Sequence, residues 1–235
     1  MDGYAIELCF DQKTEKKLSK IGAAIAKAGL HSEFVNDENA HAAFWCGAIE
    51  GSVDATAAGN TIEYQGVNAQ DIKEMDYHHL MINSSGSGTV VKDFDGATYN
   101  IAGNLEITDT ELKAGFATIN LSGNLTGSGT STINSGFNGL VMNGSLVQTI
   151  KLQGFSIFEL GDFTINNGAG VTIESNIDVS TNNITLTDGN LTIEGATLLK
   201  GLDSQFKGGT FGPNKMVVIA DGGAMRASSP GFDPL

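Results

Sequence analysis

The chain contains few of the residues that define several protein classes. Its 235 residues include two cysteines, three prolines and one tryptophan. Two cysteines cannot build a disulfide framework, and their surroundings lack zinc-site spacing. Because proline is scarce, the 31 glycines do not indicate collagen or a proline-rich linker. No apolar run approaches the roughly 20 residues of a membrane span.

Positive charge is scarce as well. The chain has 13 basic and 27 acidic residues, and its formal net charge is −14. Nucleic-acid binding is disfavoured because the main attractive term would have the wrong sign. The 40% hydrophobic content is enough for a packed core and excludes wholesale disorder. The N-terminal residues lack the basic region of a secretory signal. We expect no cofactor.

Residues 1–45 differ in composition from the rest and predict a strand, a helix and a second strand. Positions 4 to 10 alternate between apolar and polar residues, as in a half-buried strand. An apolar helical stripe follows at Leu18, Ile21, Ile25 and Ala28. A short strand is expected at 33–35. A unit of this size is too small to be stable alone, so we expect it to cap the N-terminal end of the following domain.

The strand and helix of residues 4–30, followed by the segment Ala40-His41-Ala42-Ala43-Phe44, resemble the opening of the 2H phosphoesterases, the family of the 2′-5′ RNA ligases. In that family two His-x-Thr/Ser motifs supply a general acid and base for phosphodiester chemistry. Here His41 lacks the hydroxyl residue two positions on, and His78 and His79 begin no second motif. His41 is therefore a vestigial catalytic candidate, and the alternative interpretation is a loop histidine.

Residues 46–212 contain an internal repeat. The segment at 60–73 matches the segment at 138–151, with Gly66, Gln70 and Ile72 recurring at an offset of 78 as Gly144, Gln148 and Ile150. Three further blocks recur in the same order: 81–90 with 164–173, 103–108 with 175–180, and 118–126 with 183–192. We interpret these matches as two tandem units, about 60–137 and 138–212.

Short alternating strands separated by Asn, Gly, Asp and Ser fill both units, as at 177–180, 184–187 and 191–194. This spacing favours a mainly β fold, a right-handed parallel β-helix or β-solenoid of about 20 residues per coil. Each unit would supply about four coils, with aliphatic residues inside and Thr, Asn and Ser in ladders outside. The alternative is an antiparallel β-sandwich. Residues 213–235 predict one more strand, 216–220, then a flexible tail without a cap.

The repeat region resembles the tandem repeats of large secreted surface proteins of the Bacteroidota. The similar segments are Tyr77-His-His-Leu-Met-Ile-Asn83, Leu140-Val-Met-Asn-Gly-Ser-Leu-Val-Gln-Thr-Ile150 and Asn190-Leu-Thr-Ile-Glu194, with 208–226 resembling a closing segment. The resemblance implies an extracellular or cell-surface protein of structural or adhesive function. Its expected partners are surface glycans or other proteins.

Carboxylate pairs are the other candidate site residues. Asp93 and Asp95 flank Phe94, and Asp109 and Glu111 flank Thr110. Each pair would share one strand face and offer catalytic carboxylates for polysaccharide cleavage, or weak calcium ligands together with Asp76. A solvated acidic face explains these pairs better than a catalytic site does. Phe155, Phe158 and Phe163 indicate either a sugar platform or a core plug between the two units.

The main hypothesis is thus a non-enzymatic, acidic, structural or adhesive repeat segment. A carbohydrate-binding or carbohydrate-active β-helix is the first alternative. A degenerate 2H phosphodiesterase is the second.

Overall fold

The computed structural model describes residues 5–9, 41–45 and 55–228, the last range without 67, 85–89, 95, 130, 154, 156, 176–177 and 202. In these residues the regular secondary structure consists of strands. The predicted helix and the strand at 33–35 lie outside them. No helix among the described residues is long and apolar enough to cross a membrane.

The strands, in chain order, are β1 (Ala5–Cys9), β2 (His41–Trp45), β3 (Thr61–Gln65), β4 (Gln70–Ile72), β5 (His79–Asn83), β6 (Val91–Phe94), β7 (Thr98–Ile101), β8 (Leu105–Thr108), β9 (Glu111–Lys113), β10 (Thr118–Leu121), β11 (Leu125–Ser128), β12 (Thr132–Ser135), β13 (Gly139–Met142), β14 (Gln148–Leu152), β15 (Ile157–Glu159), β16 (Asp162–Asn166), β17 (Val171–Ile173), β18 (Asp178–Thr181), β19 (Ile184–Asp188), β20 (Leu191–Ile193), β21 (Thr197–Gly201), β22 (Phe206–Lys207), β23 (Val217–Ile219) and β24 (Ala224–Ser228).

These strands wind into a parallel β-solenoid with three sides. The first side is a ten-stranded sheet in the order β2-β1-β3-β5-β8-β11-β14-β17-β20-β23. The second is a six-stranded sheet, β7-β10-β13-β16-β19-β22. The third is divided into two four-stranded sheets, β4-β6-β9-β12 and β15-β18-β21-β24. Strands β3 to β24 pair with one another only in parallel, so the predicted solenoid is confirmed and the antiparallel sandwich is wrong.

One coil contains about as many residues as the strand spacing predicted. Ile62 of β3 pairs with Leu80, 18 residues later, and Ile193 of β20 pairs with Ile219, 26 residues later. Aliphatic residues stack between these limits in one inward ladder. Its members are Ile62, Leu80, Leu105, Leu125, Ile150, Ile173, Ile193 and Ile219. From Ile62 to Ile193 they are buried, and this column forms part of a continuous core.

The N-terminal end of the solenoid is covered by β1. This strand runs antiparallel to β3, with Leu8 opposite Ile62 and Glu7 opposite Glu63. Tyrosines close the interior of the first coil, where the six-stranded sheet has not yet begun. The hydroxyls of Tyr64 and Tyr77 lie 3.0 Å apart, and the Tyr99 hydroxyl donates to the Ile72 carbonyl at 2.9 Å.

The third side changes sheet at an aromatic cluster. Phe155 and Phe158 are buried with ring centroids 5.1 Å apart, and Phe137 lies 5.9 Å from Phe158. Gly127 makes room for them, since a Cβ there would lie 2.6 Å from the Phe155 ring. Together with buried Phe163, these rings fill the core at the predicted boundary between the two units and offer no exposed platform.

The tandem repeat does not correspond to a whole number of coils. The matching segments at 60–73 and 138–151 place β3 on the ten-stranded sheet but β13 on the six-stranded sheet. Likewise β5 and β16, from the second block, lie on different sides. Only the fourth block, containing β10 and β19, keeps its side, three coils apart. The matching segments therefore do not mark equivalent positions in successive coils.

The feature that the matching segments 60–73 and 138–151 share is a corner, the loop that joins two sides of the solenoid. The Gly144 N–H donates to the Gln148 side-chain oxygen at 2.8 Å, so the glutamine closes the loop between β13 and β14. A donor from the next coil then enters each corner. Asn167 donates to the Leu146 carbonyl and to Gln148, at 2.7 and 3.0 Å. At the first corner Lys92 makes the equivalent contacts to Asn68 and Gln70.

Part of the predicted flexible tail, residues 224–228, forms a strand. The predicted strand at 216–220 is present as β23, and a further strand, β24, follows it. β24 pairs in parallel with β21, with Met225 opposite Leu198, and Met225 packs against the core. Glycine-rich sequence around 222–223 obscured this strand, because it forms the tight corner that leads into it.

Candidate functional site

The outer surface of the six-stranded sheet carries uncharged side chains in register on its first three strands, and we call it the neutral face. Its outward residues on β7, β10 and β13 are Thr98, Asn100, Thr118, Asn120, Gly139 and Val141. None of these three strands contains a charged residue, in a chain of net charge −14. Neighbouring strands of a sheet are about 4.8 Å apart, so the side chains form evenly spaced columns.

Hydrogen bonds hold these columns in place. The Asn120 amide donates to the Asn100 side-chain oxygen at 2.8 Å, and Asn100 donates to Asp76 at 2.7 Å. Beside them, the Ser122 hydroxyl donates to Asn143 at 2.9 Å. The column continues through Val141 to Thr164 and Thr185. Charged residues lie at both ends of this face, Asp76 at the N-terminal end and Asp162, Asp188 and Lys207 toward the C-terminal end.

A second ladder runs along the corner between the neutral face and the ten-stranded sheet. The Thr149 N–H donates to the Asn124 side-chain oxygen at 2.8 Å, and the Asn124 N–H donates to Asn104 at 2.9 Å. At the next position the Asn104 N–H donates to His79 Nδ1, also at 2.9 Å. His79 therefore takes the place of an asparagine, and as the acceptor Nδ1 carries no proton.

The surroundings of His79 favour its neutral form. Burial, with the adjacent His78 ring, lowers the pKa of His79 below its ordinary value of 6.5. The two ring centroids are 4.3 Å apart. His78 Nδ1 is buried and has no hydrogen-bond partner among the described residues. His79 is thus a local acid-sensitive point in the ladder.

Lys92 is an inward-facing cation that sequence reasoning missed. It alternates with Phe94 on the buried side of β6 and is fully buried. Its ammonium donates to the Gly66 and Asn68 carbonyls, at 3.2 and 3.3 Å, and to the Gln70 side-chain oxygen. Burial lowers the pKa of Lys92 to about 8. The Lys92 ammonium thus satisfies three oxygen acceptors at this corner, which gives Lys92 a structural role.

Of the two predicted carboxylate pairs, the structure describes both members only for Asp109 and Glu111. Asp93 binds Lys113 across neighbouring strands, with Oδ2 and Nζ 2.5 Å apart, and Asp95 lies outside the described residues. Asp109 has a φ of 48° and occupies the corner between β8 and β9, whereas Glu111 begins β9. Buried Thr110 separates them. The expectation that Asp109 and Glu111 share a strand face is therefore wrong, because the backbone turns at Asp109.

His41 lies in a strand. It is the first residue of β2 and pairs in register with Cys9 of β1, so the prediction of a loop histidine is wrong. His78 and His79 belong to the first coil, at the start of β5. Within the part of the chain that the structure describes, no group of three or more His, Cys, Asp or Glu residues is arranged to hold a metal ion.

Comparisons with known proteins leave the chain without a family. No family model matches it, and neither a curated protein nor a solved structure is significantly similar. The fold defines it as a parallel β-solenoid protein. Its functional interpretation rests on its own surfaces.

Proposed function

We propose that this chain is a non-enzymatic structural and adhesive segment of a bacterial secreted or cell-surface protein, in which the neutral face contacts uncharged surface glycans. The observation that carries the proposal is the charge-free array on β7, β10 and β13, in which the outward side chains of β7 and β10 are Thr and Asn. Acidic glycans and nucleic acids would be repelled by a chain of net charge −14, whereas a neutral glycan would not be.

The solenoid also supports a spacer role. The eight parallel strands from β3 to β23 are stacked about 4.8 Å apart, which gives a length of about 34 Å. The continuous core and the side-chain ladders connect each coil to the next. Repetition of such coils extends a protein in one direction without adding a new core.

Glycan binding by the purified protein tests the adhesive function. We expect saturable binding to neutral polysaccharides that changes little with salt, because no charge pair forms. Asn120→Lys should abolish this binding by introducing a long charged side chain into the neutral face. The matched control is Thr126→Lys, an outward position of β11 on the ten-stranded sheet. Equal losses in both variants, or no binding to any glycan or cell surface, would remove the adhesive function and leave the spacer.

Enzyme assays test the two alternatives. Turnover of a 2′,3′-cyclic nucleotide that His41→Ala abolishes would replace this proposal with phosphodiester chemistry. Polysaccharide cleavage that is lost on changing Asp93 and Asp95 to Asn would instead indicate a carbohydrate-active enzyme.

A further inference from the structure

The last coil of the described solenoid ends in unpaired strand edges. β23 is the last strand of the ten-stranded sheet, β22 of the six-stranded sheet, and β24 of the third side. Among the described residues nothing pairs with their outer edges. An unpaired edge presents a row of N–H and C=O groups that can hydrogen-bond to another strand.

The core is also open at this end. Ile219 is the last member of the inward aliphatic ladder, and 48% of its surface is exposed. Phe206 continues an inward column of the six-stranded sheet from Ile184 and is 38% exposed. Met216 and Phe211 lie nearby in sequence and are exposed too. Ile219 and Phe206 thus hold stacked positions that a further coil of the solenoid would cover.

The charge of this end is opposite to that of the rest of the chain. Residues 197–228 contain four basic residues, Lys200, Lys207, Lys215 and Arg226, against Asp203 and Asp221, a net charge of +2. Because the whole chain carries −14, the remaining residues carry −16. A positive end with exposed apolar ladder residues complements an acidic strand that has apolar side chains at alternate positions.

We propose that the C-terminal coil is a docking surface for an acidic β-strand of another polypeptide, which adds in parallel to β23. Its apolar residues cover Ile219 and extend the inward ladder, while the positive net charge of residues 197–228 attracts its acidic residues. The main-chain groups of β23 supply the hydrogen bonds, as in other cases of strand addition. A second copy of this chain is a poorer occupant, since its own C-terminal end has the same positive charge and β1 covers its N-terminal end.

Peptide binding by the full chain tests this surface. The probe is a labelled peptide, Val-Glu-Ile-Glu-Val-Glu-Ile, and its counterpart has Lys in place of every Glu. We expect fluorescence anisotropy to show the acidic peptide binding at least about tenfold more tightly than the basic one, with an affinity that falls as salt rises. Equal affinity for the two peptides, or no binding of either, would overturn the proposal.

Variants locate the binding site. Ile219→Asp should weaken binding of the acidic peptide by at least about tenfold, because it places a carboxylate at the end of the apolar ladder. The matched control is Leu146→Asp, at an exposed loop tip several coils away, which should leave the affinity unchanged. Circular dichroism checks that both variants fold.

If Ile219→Asp does not fold, the double variant Lys207→Glu with Arg226→Glu makes the same test at two exposed positions. It should abolish the preference for the acidic peptide. A loss in Leu146→Asp as large as that in Ile219→Asp would overturn the proposal. So would a dimer in sedimentation that Ile219→Asp dissociates, which would make a second copy the occupant.

Discussion

The two ends of the solenoid differ in how far the last residue of the inward aliphatic ladder is covered. At the N-terminal end Ile62 is 2% exposed, beneath β1 and beside three hydrogen-bonded tyrosines. At the C-terminal end Ile219, in the same ladder, is 48% exposed. The two residues have the same chemistry and differ only in what covers them. A residue of the aliphatic ladder therefore contributes its full burial free energy only where a neighbouring strand or coil covers it.

Truncating the ladder at each end should give the largest difference. Ile62→Ala should lower the free energy of unfolding by about 2–4 kcal/mol, because it leaves a cavity in a covered core. Ile219→Ala should cost about 1 kcal/mol or less, since half of its side chain already contacts water. Urea unfolding of both variants measures the difference. Equal costs would mean that the two ends are equally covered in solution.

Removal of the buried cation should have the next largest effect, and only on the closed end. Lys92→Met leaves the Gly66 and Asn68 carbonyls and the Gln70 side chain without their donor, at a cost of about 1–3 kcal/mol. Urea unfolding measures this cost. Lys207→Met is the matched control at the open end, where the side chain is exposed, and should be nearly neutral. A neutral effect of Lys92→Met would show that water replaces the ammonium.

A strained residue between the two ends should give a smaller change of opposite sign. Phe116 has a φ of 69° and is 81% exposed, in a tight turn with Gly115. Phe116→Gly should raise the free energy of unfolding by about 0.5–1 kcal/mol, because glycine adopts this conformation without the steric cost. Thermal unfolding is the measurement. A lower melting temperature would mean that the phenyl ring makes a stabilising contact.

Acidification should have the smallest effect, a loss of stability in the first coil that the last coil does not share. Because the folded-state pKa of His79 is lowered, its neutral form stabilises the first coil above about pH 6.5, and this stabilisation is lost as pH falls below that value. Protonated Nδ1 can no longer accept the Asn104 N–H. Hydrogen exchange of the Asn104 amide, corrected for its intrinsic pH dependence, should therefore accelerate.

His79→Asn provides the control for this measurement, since it restores the asparagine found at positions 104 and 124 of the same ladder. Exchange at Asn104 should lose its acid sensitivity in this variant. The last coil contains no histidine, so its amides should not respond. Acid sensitivity that persists in His79→Asn would assign the effect to another group.

The sequence was enough to predict the strands and their parallel stacking. Period-two alternation at 184–187 and 191–194 reports directly which side chains face inward, and β19 and β20 lie there. It could not assign strands to sides, because every side uses the same alternation. For this reason the sequence match at an offset of 78 did not reveal that its two copies, which contain β3 and β13, lie on different sheets.

The candidate site was less predictable. The asparagines of the ladders are visible in the sequence, but their alignment depends on coil lengths that vary from 18 to 26 residues. Burial of Lys92 was detectable, since it alternates with Phe94, yet charge alone argued for an exposed position. The pair Asp109 and Glu111 misled because Asp109 adopts a left-handed backbone conformation that alternation does not reveal.

The glycine–glutamine corner has a consequence for how such a chain can lengthen. Its two copies, at Gly66 and Gly144, connect different pairs of sides, so the corner folds wherever two strands must be joined. Duplication of a segment therefore need not insert whole turns. A copy displaced by one side would be rotated about a third of a revolution around the long axis. Gene duplication could in this way place a copy of a surface motif on a different side of the solenoid, while its apolar residues still packed in the core.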